Sequence, residues 1–328
     1  MLFDPFNRRL NYLRISLTDR CNLRCLYCMP EGGVPKLAHE DILSYEELLR
    51  LARLSVALGI EKIRLTGGEP LTRRGAIPFM AELARIPGIK DISLTTNGIL
   101  LAEKAQALWE AGMRRINISL DSLNPAVYAG ITRHDLFHQV WMGIQAVEAL
   151  GFQPIKINVV ALKGLNENEI LAFGRLSRDK PYHIRFIEFM PVGSAAGCQS
   201  DRFLPADEIL ARLQTLGPLE SINGQGLDGP ARRWAYPGAR GEVGLISPIS
   251  HHFCPSCNRL RLTSDGKLRT CIFSDNETDL RQPLRQGASD DQLEMIIREA
   301  TASKPKEHPL HSPVAPQRCQ RQMSAIGG

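Results

Sequence analysis

The chain has 328 residues, 43% apolar and 23% charged, the mix of a soluble globular protein of about two domains. That composition excludes disorder, collagen and coiled coil, and no membrane partner is expected. The longest stretch without Asp, Glu, Lys or Arg is Val243–Asn258, shorter than the ~18 apolar residues a spanning helix needs, and it holds two His and two Pro. Arg8-Arg9 is followed by no apolar run, because Arg14, Asp19 and Arg20 interrupt it, so a cytoplasmic location is expected. Forty basic against 35 acidic side chains leave +5, a balance that suits an anionic small molecule. With 6% aromatic residues, no stretch interleaves rings and cations as a single-strand nucleic-acid platform would, so no nucleic-acid partner is expected.

Along the chain, Tyr12–Leu17 reads as a strand. Ser44-Tyr-Glu-Glu47 is a capping box that opens a helix to Leu58, with Gly59 as its stop. Strands follow at Lys62–Leu65 and Ile89–Thr95, then a helix at Leu101–Ala111 closed by Gly112 and a strand at Arg115–Leu120. A helix at His134–Leu150, a strand at Ile155–Val160, a helix at Glu167–Arg178 and a strand at His183–Phe189 complete about six β/α units. Such alternation predicts an α/β fold with a parallel sheet, either open and doubly wound or an incomplete barrel. Beyond residue 190 the alternation stops and Gly and Pro increase, which suggests a smaller second domain over 191–300. It contains helices at Pro205–Leu216 and Asp290–Glu299 and a strand-like run at Arg259–Thr263. Residues 301–321 are rich in Pro, His, Lys and Gln and read as a mobile segment, so 301–328 is a flexible tail ending in Gly327-Gly328. Gly224-x-Gly226-x-x-Gly229 matches the dinucleotide fingerprint by letter only: Pro230 follows where a helix should begin.

Six of the eight cysteines fall into two triplets, Cys21-x3-Cys25-x2-Cys28 and Cys254-x2-Cys257 with Cys271 further on, leaving Cys198 and Cys319. Closed zinc and iron–sulfur sites normally use four ligands. Three thiolates on a 4Fe–4S cluster leave one iron open to a ligand, which makes an open-site cluster the sharper reading of each triplet. The x3-x2 spacing of the first is not that of a zinc finger, and Asp19 is its only near fourth ligand. The second has His251 and His252 beside it, and on spacing alone it divides evenly between Cys3His zinc and iron–sulfur.

Cys21-Asn-Leu-Arg-Cys25-Leu-Tyr27-Cys28 resembles the CxxxCxxC signature of radical S-adenosylmethionine (SAM) enzymes, and Thr66-Gly67-Gly68-Glu69-Pro70, behind a predicted strand, resembles that family's GGEP motif. The second triplet with Arg259 and Arg261, the phrase Arg185-Phe-Ile-Glu-Phe-Met190-Pro, and the terminal Gly327-Gly328 are together similar to the GTP 3′,8-cyclase family of molybdenum cofactor biosynthesis, over essentially the whole chain. The resemblance implies an incomplete (β/α)6 TIM-like barrel over 1–190 and an α+β domain carrying a second cluster. It implies that Cys21, Cys25 and Cys28 hold one 4Fe–4S cluster and Cys254, Cys257 and Cys271 another, whose free iron takes the guanine. Tyr27, Gly68, Ser119 and Met190 would contact SAM. Arg14, Arg64, Thr95, Lys156 and the run Arg259-Leu260-Arg261 would hold GTP, while Arg259, Arg261, Gly327 and Gly328 would serve catalysis.

In that family a 5′-deoxyadenosyl radical takes the 3′ hydrogen of GTP, and C3′ then adds to C8. An electron donor, a downstream cyclic pyranopterin monophosphate synthase and a homodimer belong to the same expectation. Two other readings compete: another twin-cluster radical SAM enzyme of the peptide-maturing type, which usually carries more C-terminal cysteines, and a non-catalytic zinc module or electron carrier, which leaves Gly67–Pro70 without a purpose.

Overall fold

The computed structural model describes residues 1–193, 200–224, 227–308, 310 and 319–327. Its first half alternates as the sequence predicts: β1 (Tyr12–Ser16), α1 (Tyr45–Ala57), β2 (Lys62–Thr66), α2 (Ala76–Ala84), β3 (Asp91–Thr96), α3 (Leu101–Glu110), β4 (Ile116–Ser119), α4 (Pro125–Thr132), α5 (Phe137–Ala149), β5 (Ile155–Ala161), α6 (Ile170–Asp179) and β6 (Tyr182–Glu188). The predicted capping box forms: Glu47 N–H donates to Ser44 Oγ at 3.2 Å and Ser44 N–H to Glu47 Oε2 at 2.6 Å, worth ~1 kcal/mol to the start of α1.

The sequence reading lacks α2 and α4. Pro78 in the first turn of α2 masks its helical period. At α4 the signal was present, because Asn124 caps Pro125 at the first helical position, its Oδ1 accepting from Ala126 N–H at 2.9 Å.

Next come α7 (Ala206–Gln214), β7 (Glu220–Ile222), β8 (Arg232–Ala235), β9 (Glu242–Ile246), β10 (Arg259–Leu262), β11 (Lys267–Arg269), β12 (Thr278–Asp279), α8 (Arg281–Arg285) and α9 (Asp290–Ala302). All twelve strands belong to one sheet, in the order β12-β11-β10-β1-β2-β3-β4-β5-β6-β9-β8-β7. The run from β10 through β1–β6 to β9 is parallel throughout. β9 and β10 sit at its two ends and do not pair with each other among the described residues, so the barrel is incomplete.

Its inner and outer faces follow the period-two alternation of a strand. Leu13 and Ile15, Ile63 and Leu65, Ile155 and Ile157, Ile184 and Phe186, and Leu260 and Leu262 all join the core under the helices. The alternate residues, Arg14, Arg64, Asn158, Arg185, Arg259 and Arg261 among them, line the interior. A barrel interior normally fills with Val, Ile and Leu. This one is open and is lined by arginines and cysteines as well as apolar side chains, as a binding site would be.

Residues 301–308 belong to the packed body and not to a mobile segment: α9 runs to Ala302, and Lys304 and His308 are buried. A Lys is ordinarily solvated, which is why composition misreads the stretch; here backbone carbonyls take its ammonium.

Candidate active site in the barrel

Loops at the C-terminal ends of β1 to β6 converge on one side of the cavity, as in parallel barrels generally. Cys21, Cys25 and Cys28 are free thiols on the loop after β1, and all three line the cavity. The loop after β2 clamps this one. Gly68 N–H donates to Thr18 O at 2.7 Å and Glu69 N–H to Arg20 O at 2.8 Å. A Cβ on Gly68 would lie 2.3 Å from Arg20 O, and one on Gly67 2.7 Å from Thr18 O, so neither position admits a side chain. The Glu69 carboxylate is fully buried and accepts from Leu71 N–H, Thr96 Oγ1–H and Asn97 N–H. Asn97 in turn donates to Asn22 Oδ1 at 2.7 Å, inside the cysteine loop. Tyr27 Oη donates to Asp121 Oδ2 at 2.7 Å, which ties the loop to the end of β4. Burial pushes the Cys28 thiol up to about 12 and raises Cys21 and Cys25 as well. Bare, these are neutral thiols, and metal binding would release their protons.

The second triplet stands at the other end of the same strands. Cys254 and Cys257 precede β10, which lies parallel to β1 with Arg259 opposite Tyr12. Cys271 follows β11, which returns antiparallel to β10 with Arg269 opposite Arg261. Thus one triplet adjoins the start of β1 and the other follows its end, with about 16 Å of strand between Tyr12 and Leu17. Both triplets line one cavity.

Between them lies a basic floor. Arg261, Arg14 and Arg64 are register neighbours across β10, β1 and β2. Tyr12 lies among Arg64, Arg259 and Lys62, each within 6 Å of its ring. Burial raises its phenol, but Arg64, Arg14, Arg259 and Lys62 together pull it down to about 7. Desolvation lowers Arg14 and Arg185 to about 10. Burial and the neighbouring Arg185, Arg115, Arg64 and Lys62 lower Lys156 to about 6. Thr95 Oγ1 and Arg185 Nε are buried without a hydrogen-bond partner among the described residues. Crowded cations with open donors are what an anionic ligand would satisfy, and arginine forks match phosphate oxygens.

Three thiols at each end fit a 4Fe–4S cluster, which takes one thiolate per iron and leaves the fourth iron open. Of the two histidines beside the second triplet, His251 is turned away, its Nε2 lying 2.7 Å from Asp207 Oδ2, while His252 lines the cavity with the triplet, its Nε2 3.8 Å from Glu307 Oε2.

The chain end also reaches this cavity. Gly327 O accepts from Arg14 Nη2 at 3.2 Å and from Arg261 Nη1 at 3.2 Å. Gly327 has φ 71°, and a Cβ there would meet Thr66 Oγ1 at 2.5 Å. Gly328 lies outside the described residues, as do Cys198 and Gly226. Arg321 anchors this segment through Glu277 and Asp265.

Of the residues singled out in the sequence, Tyr27, Gly68, Ser119, Met190, Arg14, Arg64, Thr95, Arg259 and Arg261 line the cavity with both triplets. Two differ. The Leu260 side chain is buried in the core behind β10, because alternation sends it opposite to Arg259 and Arg261, so only its backbone faces the same region. Lys156 is buried within the basic cluster and does not line the void. Tyr12, Asn97, Asp121, Asn158 and Arg185 also line it and were not singled out. Strand periodicity would have found Tyr12 and Asn158, two residues from Arg14 and Lys156, and Arg185, which alternates with Ile184 and Phe186 of the core; nothing local marks Asn97 or Asp121.

Residues 15–176 match the model of the radical SAM superfamily, and residues 182–310 that of molybdenum cofactor synthesis C. The chain is 51% identical over 325 residues to a GTP 3′,8-cyclase of Moorella thermoacetica, covering 99% of each. It is 47% identical over 326 residues to that of Pelotomaculum thermopropionicum, again over 99% of each. Streptococcus suis SuiB bound to S-adenosylmethionine has the same fold, with TM-score 0.61 at 15% identity over 96% of this chain and 76% of that one.

Proposed function

The chain belongs to the GTP 3′,8-cyclase family within the radical SAM superfamily, and from that premise we propose that it converts GTP to (8S)-3′,8-cyclo-7,8-dihydroguanosine 5′-triphosphate, the first step of molybdenum cofactor biosynthesis. The observation that carries the reading is the pair of cysteine triplets at opposite ends of one cavity, with a basic floor between them. In this reading Cys21, Cys25 and Cys28 hold one 4Fe–4S cluster and Cys254, Cys257 and Cys271 the other. When bound, the first cluster and SAM supply the 5′-deoxyadenosyl radical that removes the 3′ hydrogen.

The protein's own residues orient. Tyr27, Gly68, Ser119 and Met190 cradle SAM beside the first triplet, where the glycine clamp keeps side chains out. Arg14, Arg64, Thr95, Arg259 and Arg261 hold GTP, with Lys156 adding charge from behind. A substrate pinned along this floor presents its ribose to one end and its base to the other, and that directs the ribose radical to the base instead of to solvent. The Gly327 carbonyl rests on two of the same arginines, so in this reading the tail lies beside the substrate. Glycine is required there by its φ and by the closeness of Thr66.

The reading includes an external one-electron donor, a cytoplasmic setting, a homodimer, and a synthase that takes the product onward to cyclic pyranopterin monophosphate. No helix among the described residues is long and apolar enough to cross a membrane. Anaerobic incubation of iron-loaded protein with SAM, dithionite and GTP tests the proposal. Formation of 5′-deoxyadenosine together with the cyclised nucleotide is expected; SAM cleavage that GTP neither stimulates nor consumes would overturn it.

A further inference from the structure

We propose that Lys304 is a positioning residue of the second triplet, its ammonium joining the two halves of the thiol set and placing a positive charge against Cys257 Sγ. The proposal rests on the reading of that triplet as a cluster site. Lys304 lies just past α9 and is 4% exposed. An ammonium taken out of water is destabilising unless it is paired and hydrogen-bonded, yet Lys304 has no carboxylate within ion-pair distance among the described residues. Its Nζ instead donates to Arg259 O at 3.0 Å, to Thr270 O, and towards Cys257 Sγ at 3.7 Å. An ammonium has three N–H donors, and these are three acceptors.

Two of the acceptors border ligands that are far apart in sequence. Thr270 immediately precedes Cys271, and Arg259 stands two residues after Cys257. One side chain therefore fixes the spacing of Cys271 from Cys257. The third thiol is tied to the same segment by Arg8, which donates to Cys254 O at 2.6 Å, Pro305 O at 2.6 Å and Lys306 O at 2.9 Å and is itself paired with Asp4. Apart from Asp4, which acts at longer range and is itself paired with Arg8, the anion that a charged Lys304 faces is the thiolate set. A cluster held by three thiolates gains negative charge on reduction, so a cation and a hydrogen bond at one sulfur stabilise the reduced form and raise the potential.

The test begins with iron in anaerobically prepared wild-type protein. About eight irons per chain keep the cluster reading, and about four would defeat that reading before Lys304 is in question. Redox titrations followed by electron paramagnetic resonance then compare wild type with Lys304→Gln and Lys304→Arg. The expected result for Lys304→Gln is a second-cluster signal shifted to more negative potential, or lost while the first persists, with Lys304→Arg recovering it towards wild type. A Lys304→Gln protein with both signals at wild-type potentials overturns the proposal. Equal loss of both clusters in that variant also overturns it, because the residue would then serve folding in general and not this site.

Discussion

The two cysteine triplets are built by opposite means. The first sits within eight consecutive residues and is clamped by backbone: Gly67 and Gly68 press against Thr18–Arg20 at distances that exclude any side chain. The second is assembled from separate stretches of chain, and its spacing depends on buried cations, Lys304 and Arg8, that bond backbone carbonyls beside its ligands. One site is therefore sensitive to size and the other to charge.

Mutations can break this comparison in turn, and ligand removal should give the largest effects. Cys25→Ala is expected to abolish 5′-deoxyadenosine formation and to halve the iron. Cys257→Ala should also halve the iron, yet retain SAM cleavage while yielding no cyclised product. Chromatography of both products reads the difference. Gly68→Ala comes next: its Cβ would strike Arg20 O, so the variant should lose the first cluster and ~1–3 kcal/mol of stability in a denaturant titration, with second-cluster iron kept. Arg261→Ala should leave both clusters in place and weaken GTP binding ~10–100-fold, as expected for removing a charge-assisted hydrogen bond of ~1.5–3 kcal/mol; equilibrium binding of GTP measures it.

Smaller effects concern the floor and the tail. With Lys156 held down to about 6 by burial and by neighbouring cations, it is neutral in the free protein at pH 7. A bound triphosphate raises that value, so binding takes up a proton. Affinity is then greatest below about pH 6 and falls as pH rises through that value, a slope that Lys156→Met should remove from the GTP affinity measured against pH. Arg321→Ala loosens the tail's anchor. Its ion pairs to Glu277 and Asp265 are partly exposed and worth ~0.2–1 kcal/mol each, so turnover should fall only a few-fold, with SAM and GTP affinities unchanged.

Those same means of construction decided what could be read in advance. The β/α series was legible because capping boxes, glycine stops and apolar periods are local, as at Ser44–Gly59. The first triplet and Gly67–Pro70 were legible because each is contiguous. The second triplet divides evenly between zinc and iron–sulfur on spacing alone, because its cysteines come from separate stretches with histidines beside them, and only the resemblance of the surrounding phrase selects iron–sulfur. Lys304 was hidden in a stretch whose composition resembles a solvated linker. Leu260 shows the converse: a motif names three successive residues, whereas a strand can turn only alternate ones to one face. The joining of β10 to β1 rests on pairings as distant as Arg14 with Arg261, and that of β9 to β6 passes over β7 and β8 to pair Arg185 with Gly244, which no local pattern records.

The central claim is that both triplets hold iron–sulfur clusters around one cavity. Iron and zinc counted per chain in protein purified without oxygen test it most directly. About eight irons and no zinc are expected; about four irons with one zinc would make the second triplet a structural site and remove the basis for GTP held between two clusters.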